Sequence, residues 1–104
     1  MTDLNMVVAF TGASAIVSAA HRDTSGNLHG HTWEVTAWWR EGEDGVKLQR
    51  DLEHYLKVFD HTVLGDDIAW GEALAKSILI GLKCVRVEVR RPLERLYATA
   101  EWAS

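Results

Sequence analysis

Small and β-branched residues dominate from Met6 to Ala20, with Phe10 early and Gly12 suited to a bulge or bend. This pattern predicts a long first strand. The polar run Arg22 to Asn27, containing Ser25-Gly26, predicts a loop where the chain reverses. Thr32 to Arg40 reads as a second strand, with Val35, Ala37 and Trp39 on one face, and Glu41 to Gly45 ends it. Two strands joined this way are most simply antiparallel, which brings His21 beside the start of the second strand.

Leu48, Leu52, Leu56 and Phe59 recur at helical intervals among Gln49, Arg50, Glu53, His54 and Lys57, so an amphipathic helix is expected. Asp60 to Ile68 interrupts the helical pattern. Leu74, Ile78 and Leu82, with Ala73, Ala75 and Leu79, mark a second helix that Gly81 helps to end. Val85, Val87 and Val89 then alternate with Arg86, Glu88 and Arg90, the period of a strand with one dry face. After a turn at Pro92, Leu96 to Trp102 completes a hairpin. The expected fold is α+β in the order β-β-α-α-β-β: a four-stranded antiparallel sheet with both helices on one face.

Composition narrows the possibilities. With 104 residues, 47% of them hydrophobic, the chain suits one domain, read as 1–104. In so small a domain Trp33, Trp38, Trp39, Trp70 and Trp102 are expected to need burial partners in another subunit. Fifteen acidic against eleven basic side chains give a formal charge of −4, which argues against nucleic acid or an anionic membrane as partner. One cysteine, Cys84, excludes a disulfide scaffold and reads as a small buried side chain. No run has the character of a secretory signal or a membrane span, so a soluble cytoplasmic protein is expected.

The chemistry concentrates at His29-Gly30-His31. Residues two apart on an extended chain point to the same side, roughly 6.6 Å apart at Cα, and one ion can bridge them. Zinc takes imidazole nitrogen at roughly 2.0 to 2.1 Å, and His21 on the adjacent strand is placed to be a third ligand, leaving a fourth position open. A lone His-x-His pair is weak evidence, because ordinary loop histidines give the same spacing. The ordered set is more specific: Ala19-Ala20-His21-Arg22, then Leu28-His29-Gly30-His31-Thr32-Trp33, then Phe59-Asp60-His61 with Leu64, then Val87-Glu88-Val89.

Taken together, these residues resemble the family of 6-pyruvoyltetrahydropterin synthase and its bacterial relative 6-carboxytetrahydropterin synthase, across nearly the whole chain. The resemblance implies the tunnelling fold, zinc held by His21, His29 and His31, and 7,8-dihydroneopterin triphosphate as the substrate of a lyase. It also implies a homohexamer, a dimer of trimers whose active sites lie at subunit interfaces. Zinc acidifies and orients the substrate side chain while a base takes a proton. Asp60 and His61 match the family's proton relay, and Glu88 matches the glutamate that accepts hydrogen bonds from the pterin ring. From the residues alone, His61 could be a solvated loop histidine and Glu88 a cross-strand ion pair. Glu72 matches a further family glutamate, although here Ala69-Trp70-Gly71 precedes it, and it also suits a helix N-terminus.

The sequence departs from the family at one chemical position. A catalytic cysteine usually stands four residues before the first histidine of His-Gly-His, and here that residue is Ser25. A thiol has a reference pKa near 8.5, whereas a serine alkoxide is far less accessible. Asp23 in the same loop or His61 could supply the base, or turnover could be weak. Triphosphate contacts would fall to Arg22, Arg90, Arg91 or Arg95. The expected product is 6-carboxy-5,6,7,8-tetrahydropterin, on the queuosine and 7-deazaguanine route. The alternatives are 6-pyruvoyltetrahydropterin, or a zinc- and pterin-binding homologue with weak or no turnover.

Overall fold

The computed structural model describes residues 6–22, 24–65 and 70–103. Asp23, the alternative base of the first loop, lies outside them. The elements run β1 (Phe10–Arg22), β2 (Leu28–Arg40), α1 (Gly45–Leu56), β3 (Thr62–Val63), α2 (Gly71–Leu82), β4 (Arg86–Arg91) and β5 (Leu96–Glu101).

The sheet has five strands, not four, in the order β3-β1-β2-β4-β5. The extra strand lies in the segment read as an interruption between helices. Thr62 and Val63 pair parallel with Ala19 and Ala20, so the sheet is mixed rather than wholly antiparallel. Two residues are too few for a period-two pattern to reveal. The other pairings are antiparallel, as expected.

β1 and β2 pair without a break from Phe10↔Arg40 to Arg22↔Leu28, so the bulge anticipated at Gly12 is absent. Gly12 serves a close approach instead. A Cβ placed there would come within 2.4 Å of Cζ3 of Trp38, whose indole lies across the glycine. Gly81 has a similar role: α2 continues past it to Leu82 and stops at Lys83, which takes the left-handed conformation. The missing side chain of Gly81 leaves room for the Tyr55 ring, whose hydroxyl donates to the Ser77 carbonyl at 3.4 Å.

Alternation decides what is buried. Ala13, Val17 and Ala19 of β1, Trp33, Val35 and Ala37 of β2, and Val87 and Val89 of β4 turn toward the helices. Leu52 and Leu56 of α1 and Leu74, Ala75, Ile78 and Leu79 of α2 cover them. Asp44 caps α1, its carboxylate accepting from the Val46 N–H at 3.0 Å. Phe59 joins this core from beyond the end of α1, not from within the helix. Trp33 is buried by its own chain at 2% exposure, contrary to the expectation that it needs a second subunit, whereas Trp70 and Trp102 remain about half exposed. No helix among the described residues is long and apolar enough to cross a membrane.

Substituting Gly12→Ala should destabilise the protein by about 1–3 kcal/mol, the usual cost of forcing an extra group into a filled contact. Urea unfolding of the variant would measure this, and an unchanged midpoint would show that Trp38 moves aside freely.

Candidate metal and ligand site

The unbroken β1–β2 register brings the three histidines together. His21 pairs directly with His29, and His31 pairs with Ala19, so all three project from the helix-covered face, at the hairpin end. Nε2 of His31 lies 2.9 Å from Nε2 of His21. The rings of His29 and His31 stack, with centroids 6.2 Å apart and planes 13° from parallel. As they stand, no three His, Cys, Asp or Glu side chains among the described residues converge closely enough to enclose one ion. His21 and His31 already point their Nε2 atoms at each other.

Trp33 forms the floor, its ring edge-on to both His21 and His31 at centroid distances of 6.0 and 5.8 Å. Its indole N–H donates to the Ala19 carbonyl at 3.3 Å, tying the floor to β1. Trp70, just before α2, meets the other side of His21 at 5.5 Å. Burial holds the His31 pKa below its ordinary value, the Arg91 guanidinium and His21 add to this, and Glu94 opposes it. His31 is therefore neutral at neutral pH, the form in which imidazole binds metal.

The histidine pair stands between two cavities. One, of about 320 Å³, is lined by His21, Trp33, Trp70, Glu72, Arg91 and Tyr97 among others. Two indoles, a phenol, a carboxylate and a guanidinium suit a flat polar heterocycle. The second, of about 510 Å³, is an open cleft that His31 shares with His61 and Glu94. A larger cavity of about 640 Å³, around Phe10, Trp38 and Trp102, contains none of the histidines, and its Arg86 is already paired with Glu101.

Asp60 and His61 form the pair anticipated from the sequence. One carboxylate oxygen of Asp60 is 2.9 Å from His61 Nδ1, and the other accepts from the Ser18 N–H at 3.0 Å. His61 itself has φ 56°, a left-handed conformation that turns its ring out from the end of α1. The Ser18 hydrogen bond is the main cause holding the Asp60 carboxyl below its usual range, and His61 contributes after it, against an opposing effect of burial.

Ser25 lies exposed in the hairpin turn, where Gly26 at φ 83° reverses the chain, and it lines none of these cavities. Glu88 is on the sheet face opposite the histidines, paired in register with Thr36 and 3.9 Å from Arg90, which also binds Glu34 at 3.0 Å. Within one chain it does not meet them. Glu72, at the start of α2, lines the same cavity as His21. Sequence reasoning gave no role to Trp70, Tyr97 or Glu94. Their proximity comes from the β4–β5 hairpin and the start of α2, which no local motif encodes.

No family model matches the chain, and no curated protein matches it in sequence. Among solved structures it is similar to 6-pyruvoyl tetrahydropterin synthase from Caenorhabditis elegans, with 19% identity and a TM-score of 0.77 over 94% of this chain and 98% of that one.

The Asp60 carboxylate should show its role in the pH dependence of stability. Its folded pKa lies below the unfolded value near 3.8, so its contribution is present above that value and is lost as pH falls through the folded pKa. Wild type should exceed Asp60→Asn in urea resistance at neutral pH, and the gap should close in acid. A gap independent of pH would reject the assignment. At the level of architecture, the chain has the tunnelling fold of 6-pyruvoyl tetrahydropterin synthase.

Proposed function

We propose that this protein is a zinc-dependent lyase acting on 7,8-dihydroneopterin triphosphate, forming 6-carboxy-5,6,7,8-tetrahydropterin. The observation that carries the reading is the convergence of His21 and His31 at 2.9 Å, between an aromatic cavity and a cleft bearing an Asp–His pair, on this fold. Two imidazoles on one tetrahedral zinc stand about 3.3–3.4 Å apart, given bonds of about 2.0–2.1 Å. The pair needs to open by only a few tenths of an ångström. His29, exposed on the same strand face, completes the set by turning its ring.

When bound, zinc supplies Lewis acidity that makes protons beside a coordinated hydroxyl easier to remove. The protein's own groups do the rest. Trp70 and Tyr97 pack against the heterocycle, and Glu72 accepts its N–H groups. The side chain of the substrate then runs past His21 and His31 toward His61. Asp60 keeps the His61 proton on Nδ1, leaving Nε2 to take a proton from carbon. Ser25 is exposed in the hairpin turn and lines neither cavity, and a serine alkoxide is far less accessible than a thiolate, so His61 is the proposed base. Glu88, on the opposite face, reaches a pterin only across a subunit boundary, which fits the proposed homohexamer of cytoplasmic chains. Sedimentation should give a hexamer, and a monomer would remove Glu88 from the site.

The direct experiment incubates zinc-loaded protein with 7,8-dihydroneopterin triphosphate and follows the products by mass. Triphosphate, acetaldehyde and the carboxy product are expected. The pyruvoyl product without acetaldehyde would favour the sister reaction, and tight pterin binding without turnover would favour a binding protein. His61→Ala should lower kcat by roughly 10²–10⁴-fold, the range for a general base. Ser25→Cys should change it little, and a large gain would return the base to that loop. Glu72→Gln should raise KM, and an unchanged KM would remove Glu72 from the heterocycle.

A further inference from the structure

His31 has a second ring nitrogen, and its surroundings are unusual. Nδ1 lies 3.0 Å from Nη2 of Arg91 and 3.3 Å from a carboxylate oxygen of Glu94, while Arg91 and Glu94 are 3.2 Å from each other. Arg91 carries donors only and Glu94 is an acceptor. A ring nitrogen cannot serve both at once. If Nδ1 accepts from Arg91, the proton of neutral His31 is on Nε2, facing His21. If Nδ1–H donates to Glu94, Nε2 presents a lone pair toward His21 and the proposed metal position.

We propose that Glu94 is the positioning residue that holds the His31 proton on Nδ1 and so makes Nε2 a metal ligand, with Arg91 stabilising the opposite, non-binding tautomer. The inference rests on the zinc reading above for its consequence, though not for its geometry. Glu94 reaches His31 because the β2–β4 register, ending at Glu34↔Arg90, carries the β4–β5 turn alongside Gly30 and His31. Nη2 of Arg91 donates to the same carboxylate oxygen of Glu94 that faces His31. The turn fixes it further: Glu94 N–H donates to the Arg91 carbonyl at 3.2 Å, and Arg95 closes the loop in the left-handed region at φ 59°. Arg91 is held across the Trp33 ring, its guanidinium carbon 5.5 Å from the centroid. Both competitors for Nδ1 are thus supported by the fold, and the ring sits between two hydrogen-bonding states.

Carboxylates that accept from a ligating imidazole typically contribute roughly 10–100-fold in metal affinity. Zinc affinity of the whole protein, measured by competition with a chromophoric chelator, should fall by that range in Glu94→Ala. Glu94→Gln should recover part of the loss, because its amide oxygen can still accept from Nδ1–H. Independently of any metal, two-bond proton–nitrogen correlation spectra of the metal-free protein should show His31 moving toward the Nε2–H form in Glu94→Ala and back in Glu94→Gln. Circular dichroism identifies a variant that has lost its fold, and Glu94→Gln then carries the comparison. Unchanged tautomer and unchanged zinc affinity in both variants would overturn the proposal. If wild type takes up no zinc while the tautomer still shifts, the positioning role stands and the metal reading falls. If zinc binds and neither variant alters the tautomer, Glu94 has no such role.

Discussion

Thirteen consecutive residues of β1 pair with thirteen of β2, with no bulge anywhere along the ladder. Because side chains alternate across a sheet, one slipped residue would turn every side chain of a strand to the other face. The buried row Val17, Ala19, Trp33, Val35 and Ala37 fixes the register by requiring cover from the helices. The same register sets His21 opposite His29. Core packing and site geometry are therefore one constraint, and the histidines inherit their face from the valines before and after them.

Around this ladder the remaining elements supply what two strands cannot. Trp70, just before α2, meets His21, and with Glu72 in the first turn it makes one wall of the aromatic cavity. The β4–β5 hairpin brings Arg91, Glu94 and Tyr97 to the same end. The chain leaving α1 turns at His61 and attaches to β1 through Ser18. Each contribution comes from an element terminus, where side chains are free of the covered sheet face but their backbone is anchored by it.

Much of this was legible beforehand, for identifiable reasons. Strands β2 and β4 and both helices follow from periods of two and 3.6, since Val87 and Val89 or Leu74 and Ile78 can be buried together in only one way, and β1 follows from its small and β-branched residues. The proximity of His21, His29 and His31 was legible from strand spacing and pairing, and the Asp60–His61 pair from the family resemblance. Glu88 was legible as a strand residue but not as one facing away from the histidines, because that requires parity to be counted across two pairings. Glu94, Trp70 and β3 were not legible. They act through tertiary proximity, and no local pattern records which turn will lie beside which strand.

The short strand β3 has its own consequence. The histidines stand on a ladder of thirteen pairs, whereas the segment bearing Asp60 and His61 pairs with the sheet through only two residues and is otherwise held by hydrogen bonds to Ser18 and Ala20 and by the buried Phe59 and Leu64 on either side. Stability in such a structure is uneven, and a short edge opens long before the centre does. Asp60 and His61 are exposed between those anchors, so local opening reaches them before it reaches the histidine ladder. The two halves of the candidate site, the histidine cluster and the Asp60–His61 pair, therefore have separate thermal limits.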